Sequence, residues 1–117
     1  MANAVESAQM QFSTGLSCSQ AVFASLAPQL GLTEEQALKI ASPFGGGLAR
    51  RGMVCGAVSG ALMAVGLKLG STTPEGKAES YRIANDFLKQ FEERHPSLLC
   101  RDLIGYDLSD PDARPPD

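Results

Sequence analysis

The chain has 117 residues, a length at which a single domain buries about two thirds of its unfolded surface. With 44% hydrophobic and 20% charged residues it has the balance of a globular protein, which excludes a wholly disordered chain. The formal net charge of −3, the absence of Trp and the low aromatic content exclude the basic, base-stacking surface of a general nucleic-acid binder.

The first half of the chain predicts three helices. Weak apolar periodicity indicates the first over residues 2–13. Capping-box patterns begin the next two, because Ser17 and Thr33 are each followed by Gln three positions later. Pro28 should kink or end the second helix, and the third should end before Pro43.

The second half predicts three more helices. A glycine-rich helix over 53–70 should be buried at the centre of the bundle, since residues 53–67 carry no charge. Thr73 followed by Pro74 begins a fifth helix. Its predicted core-facing residues are Ala78, Tyr81, Ala84, Leu88 and Phe91. A short sixth helix covers about 97–104.

These elements predict an all-α fold, a compact bundle of five to six helices. We expect one helical domain over 1–105, followed by a flexible, acidic and proline-rich tail over 106–117. The N-terminus has no basic and apolar leader, so a cytoplasmic location is the default expectation. Residues 53–67 are fewer than the roughly 20 that span a bilayer, so no membrane insertion is expected.

The three cysteines, Cys18, Cys55 and Cys100, each fall in the first turn of a predicted helix. Backbone N–H groups at a helix N-terminus stabilise a thiolate and lower the pKa of a nearby thiol. A thiolate is also the form that attacks a disulfide or binds a metal. The alternative is that these residues fill the core, because free cysteine behaves as a small hydrophobe.

Glycines crowd around Cys55. Gly52, Gly56 and Gly60 share one stripe of the predicted helix, although an interior glycine costs about 1 kcal/mol relative to alanine. Either another helix backbone approaches this stripe closely, or the space beside Cys55 is open for a partner.

A second glycine cluster precedes this helix. Gly45, Gly46 and Gly47, with Arg50 just after them, could bind an anion, because free N–H groups, the helix dipole and a guanidinium converge there. The spacing fits neither standard phosphate-binding motif, so a flexible connector is the alternative. The only histidine, His95, could add a fourth metal ligand, but its spacing matches no standard zinc pattern.

The order of four segments resembles the C_GCAxxG_C_C family, a group of small bacterial and archaeal proteins to which redox activity is ascribed. The segments are 15–22 (GLSCSQAV), 44–48 (FGGGL), 55–60 (CGAVSG) and 100–105 (CRDLIG), and the resemblance covers about 12–105.

The resemblance implies that Cys55 belongs to the CGAxxG block and that Cys18 and Cys100 converge with it on one site. The family pattern has a further cysteine near its C-terminus, and this sequence has none after Cys100. A site of four thiolates is therefore in doubt.

Three functions are compatible with these residues. The first is thiol–disulfide exchange or a redox relay with a redox partner protein, in which Cys55 attacks and Cys18 or Cys100 resolves; this would make the chain a thiol–disulfide oxidoreductase. The second is a zinc or iron–sulfur site on the same three cysteines with an outside ligand. The third is a non-catalytic helical module whose glycine-lined face binds another protein or a second copy of the chain.

Overall fold

The computed structural model describes residues 4–106 and 109–112. Within them the chain forms six α-helices and no strand, which confirms the all-α prediction. The helices are α1 (Ala4–Ser13), α2 (Cys18–Leu26), α3 (Glu34–Ala41), α4 (Gly56–Leu69), α5 (Lys77–Arg94) and α6 (Cys100–Ile104). Part of the predicted tail, 107–108 and 113–117, lies outside the described residues. No helix in the described ranges has the length and hydropathy that a membrane span requires.

Both predicted capping boxes are present. The Ser17 hydroxyl accepts the backbone N–H of Gln20 at 3.3 Å, and the Gln20 side chain accepts the Ser17 N–H at 3.2 Å. Thr33 and Gln36 make the same pair of bonds at 3.1 and 3.0 Å. Pro28 lies in a 3-10 turn that follows directly on α2, as its missing N–H predicts.

The core is built around α2 from small side chains. Phe23, Ala24 and Ala27 are buried against Ala37 and Ala41 of α3 and against Ala64 of α4. The buried Ser19 hydroxyl donates to the Ala41 carbonyl at 2.9 Å, so its burial leaves no unpaired donor. Cores made largely of alanine require helix backbones to approach closely.

The glycines of α4 permit that approach. A Cβ atom at Gly60 would lie 2.8 Å from the Ser19 carbonyl oxygen, and one at Gly56 would lie 2.9 Å from the Ser19 nitrogen. Of the two explanations for the stripe, close backbone packing is therefore the one found. Gly52 does not belong to the helix; it is buried in the preceding loop with φ +71°.

The glycine-rich helix begins three residues later than the sequence predicts. Residues 53–55 are extended, because Val54 forms an antiparallel bridge with Leu99. From Gly56 to Ala64 the side of the helix that faces α2 is buried, whereas residues 66–69 are exposed. The prediction of central burial therefore applies to the first two thirds of α4.

Helix α5 packs mainly against α4, and none of its residues is buried. The predicted core-facing side is wrong in its first turn, since Ala78 is exposed and Tyr81 is 59% exposed. The face toward α4 carries the predicted Ala84 together with Ser80 and Ile83, and these three residues line a gap of about 90 Å³ between the two helices.

Candidate functional site

Each cysteine lies at the start of a helix. Cys18 is the first residue of α2 and Cys100 the first of α6, while Cys55 is the N-cap residue of α4 rather than a residue within it. All three are free thiols; Cys100 is buried at 8% exposure, and Cys18 and Cys55 are half-buried.

Backbone hydrogen bonds hold Cys55 and Cys100 beside each other. The Cys55 N–H donates to the Leu98 carbonyl at 2.8 Å, and the Cys100 N–H donates to the Met53 carbonyl at 2.6 Å. These bonds flank the bridge between residues 54 and 99. They tie the start of α6 to the start of α4.

Two glycines allow backbone segments to pack closely against the side chains of Cys18 and Cys100. A Cβ at Gly56 would lie 3.3 Å from the Cys18 Cβ, and a Cβ at Gly47 would lie 2.7 Å from the Cys100 Cβ. Because Gly56 has no side chain, the start of α2 packs closely against this residue, which directly follows Cys55. Because Gly47 has no side chain, the backbone of the glycine loop lies directly against the Cys100 side chain.

Burial has a larger effect than the helix N-terminus on the pKa values of two of these thiols, Cys18 and Cys100. The pKa of Cys18 is raised, first by burial and then by the neighbouring Cys55 and Cys100 groups, against a smaller lowering by a backbone hydrogen bond. The pKa of Cys100 is raised by burial and by Cys55, while Arg50 lowers it in part. The predicted lowering is therefore wrong for Cys18 and Cys100, because desolvation disfavours the charged thiolate more than the N–H groups stabilise it.

The contacts of Gly56 with Cys18 and the bridge between residues 54 and 99 place the segments that carry the three thiols side by side. Cys55 acts on both of the others. Three segments that are distant in the sequence are thus brought to one end of the fold.

The glycine loop forms a left-handed turn. Five consecutive residues, Gly46 to Arg50, have φ between +51° and +72°, and three of them are not glycine. A left-handed conformation costs about 1–2 kcal/mol per non-glycine residue. Hydrogen bonds hold the turn, among them the Ala49 N–H to the Pro43 carbonyl at 2.9 Å and the Arg50 N–H to the Gly45 carbonyl at 3.0 Å.

A cavity of about 530 Å³ lies between this turn and two of the cysteines. Cys18 and Cys100 line it together with Gly45, Gly46 and Arg50. Cys55 and Gly47 are not part of its wall, although Gly47 and the residue after Cys55, Gly56, each lie against a cysteine that is.

Sequence reasoning missed the apolar part of this wall. Phe12 at the end of α1, Ile104 at the end of α6 and Tyr106 just beyond it also line the cavity. No motif marks these three residues; only the meeting of the two helix ends places them together.

The metal interpretation gains no geometric support. Among residues 4–106 and 109–112, no three His, Cys, Asp or Glu side chains are grouped so that they could hold one metal ion. His95 follows the end of α5, where its ring lies against Phe91 with the ring centroids 4.4 Å apart.

Comparison with known proteins agrees with the motif order. The family model described as "Putative redox-active protein (C_GCAxxG_C_C)" matches residues 16–116. The chain therefore belongs to the C_GCAxxG_C_C family, as its four segments predict. No curated protein and no solved structure shows significant similarity to it.

Proposed function

We propose that this protein carries out thiol–disulfide exchange, with Cys55 as the attacking thiol and Cys18 or Cys100 as the resolving thiol. The observation that carries the proposal is that three free thiols from distant segments lie on adjoining segments: Gly56, next to Cys55, packs against Cys18, and the 54–99 bridge holds Cys55 beside Cys100. The family description, which names redox activity, supports the same class of chemistry.

The assignment of roles follows from burial and position. Burial raises the pKa of the Cys18 thiol and of the Cys100 thiol, which lowers the thiolate fraction of each and suits both to the resolving role. Cys55 is half-buried and neighbours both of them. A mixed disulfide formed on Cys55 therefore has two neighbouring thiols, those of Cys18 and Cys100, that can attack it.

The exchange balances as two substitutions at sulfur. The Cys55 thiolate attacks a substrate disulfide R–S–S–R′, forming a Cys55–S–S–R bond and releasing R′S⁻. Cys18 or Cys100, after losing its proton, attacks the Cys55 sulfur and releases RS⁻. The substrate gains two electrons, the protein loses two, and an internal disulfide and one free thiol remain.

Counting thiols tests the proposal. The reduced protein is treated with oxidised glutathione, quenched, denatured and labelled with N-ethylmaleimide, and the labels are counted by intact mass. We expect three labels before oxidation and one after it. Three labels after oxidation, or three stable glutathione adducts with no internal disulfide, would contradict the proposal.

Single variants test the order of the two steps. Cys18→Ser and Cys100→Ser remove one candidate resolving thiol each, so the variant that lacks the true one should accumulate a glutathione adduct on Cys55. Cys55→Ser should form adducts at least about tenfold more slowly than either. If Cys55→Ser formed an adduct on Cys18 or Cys100 as fast as the wild type reacts with oxidised glutathione, the assigned roles would be reversed.

A further inference from the structure

Arg50 is an exposed cation in the wall of the cavity, and it has no acidic partner among the residues that the structure describes. It lines the cavity with Cys18 and Cys100, and it is close enough to Cys100 to lower the pKa of that thiol. Within the described ranges, the salt bridges join other residues, and Arg50 makes none. Its charge is therefore available to a molecule in the cavity.

The backbone that presents Arg50 is strained. Leu48, Ala49 and Arg50 have φ values of +66°, +51° and +66°, which glycine would adopt at no steric cost. Strain of this kind persists only where the surrounding structure enforces it, and it is concentrated at ligand clamps and active sites. Here the strained turn forms one wall of the cavity that the two thiols line.

We propose that the cavity binds a low-molecular-weight thiol that carries a carboxylate, with the carboxylate on Arg50 and the sulfur toward Cys18 and Cys100. The bound thiol then reduces the internal disulfide. This inference has a binding half, the binding of the thiol in the cavity, and a reduction half, the reduction of the internal disulfide by that thiol. The reduction half rests on the proposed function, whereas the binding half does not.

The shape and chemistry of the wall favour this ligand class. A volume of about 530 Å³ falls in the range of small-molecule pockets, about 300–1,000 Å³. A guanidinium pairs with a carboxylate through two parallel hydrogen bonds. Phe12, Ile104 and Tyr106 offer apolar surface to the carbon skeleton, and the thiols offer a reacting partner to its sulfur.

The reduction again balances at sulfur. The bound thiolate RS⁻ attacks the sulfur of Cys18 or Cys100 in the internal disulfide, which frees Cys55 as a thiolate. A second RS⁻ attacks the mixed disulfide and releases R–S–S–R and the second protein thiolate. Two thiols are oxidised to one disulfide, and the protein gains two electrons.

The binding half is tested with S-methylglutathione, which keeps both carboxylates but has no sulfur able to exchange. Its affinity is measured by calorimetry for the reduced wild type, for Arg50→Gln and for the matched control Arg51→Gln. Arg51 is the adjacent exposed arginine and does not line this cavity. We expect Arg50→Gln to weaken binding about tenfold or more and Arg51→Gln to change it less than about threefold.

Three results would overturn the binding half: no binding to the wild type, equal losses in both variants, or inorganic phosphate that competes as well as the tripeptide. Equal losses would mean general attraction by positive charge, and strong competition by phosphate would mean a phosphate site. Thermal unfolding of both variants checks that they are folded.

The reduction half is tested on the oxidised protein. Reduced glutathione should restore three free thiols about tenfold more slowly in Arg50→Gln than in the wild type, whereas 2-mercaptoethanol, which has no carboxylate, should reduce both at the same rate. Equal rates with glutathione would overturn the inference. Failure to form any internal disulfide while S-methylglutathione still binds would instead overturn the proposed function and leave the binding site standing.

Discussion

The Cys18 thiol lies where two opposing influences act on its pKa. The start of α2 supplies N–H groups that favour the thiolate, and the half-buried position beside two other cysteines disfavours it. The second influence is larger, so the pKa is raised from its ordinary value of 9.0. At the residue scale, the desolvation of a charge outweighs the local field of a short helix.

This raised pKa predicts a loss of stability at alkaline pH. The folded state holds the Cys18 proton more tightly than the unfolded state, so the stabilisation is complete below the ordinary pKa of 9.0 and is lost as pH rises through the folded value. Urea unfolding of the wild type and of Cys18→Ala at about pH 8 and about pH 10 measures this. The wild type should lose more free energy of unfolding than the variant over that interval.

The comparison with Cys18→Ala isolates one thiol, because lysines and tyrosines titrate in both proteins over the same range. An equal loss of stability in the two proteins would show that Cys18 titrates alike in the folded and unfolded states. The interpretation of burial as the dominant influence would then be wrong.

At the scale of elements, the contact between α2 and α4 depends on glycine. A Cβ at Gly60 would meet backbone atoms on α2, the Ser19 oxygen at 2.8 Å and the Phe23 nitrogen at 3.3 Å, and backbone cannot move aside as a flexible side chain can. A Cβ at Gly66, two turns later in the same helix, would meet nothing within 4 Å. The two positions therefore form a matched pair.

Gly60→Ala should lower the free energy of unfolding by about 1–3 kcal/mol through overpacking. Gly66→Ala should raise it by about 0.5–1 kcal/mol, because alanine is the better helix former where space is free. Chemical denaturation of the two variants measures both values. The same sign of change for both would contradict close packing at Gly60.

At the scale of the whole molecule, the helices differ in how firmly they are held. Helix α2 contacts α1, α3 and α4 and contains five buried residues, whereas α5 packs mainly against α4 and has no buried residue. Segments with few buried apolar contacts open locally at low free energy. The stability of this fold is therefore concentrated around α2.

Hydrogen exchange should reveal this difference. Amides in the middle of α5, around Phe87, should exchange at least about tenfold faster than those around Phe23 in α2, measured by mass spectrometry on peptides from each helix. Dilution provides the control, since a helix face covered by a second copy would lose protection at low protein concentration. Equal protection of α5 and α2 at every concentration would contradict the prediction.

Much of the fold follows from local signals in the sequence. Ser17 and Thr33 begin helices because their side chains pair with groups three residues away, and Pro28 ends one because it lacks an N–H. The extended residues before Gly56 were not predictable in this way, because their partner is Leu99, more than forty positions along the chain. The core-facing side of α5 likewise depends on its packing against α4, which its local pattern does not encode.

The sequence by itself determined the all-α class, the starts of α2 and α3, the family and the identity of the three cysteines, since each of these depends on short-range pattern. The tertiary structure alone decided that Cys18 and Cys100 share a cavity with Arg50 and that their thiols hold their protons more tightly. It also decided that Leu48, Ala49 and Arg50 adopt a left-handed turn. The physical reason is that burial, electrostatic proximity and backbone strain arise from residues that are distant in the chain and adjacent only after folding.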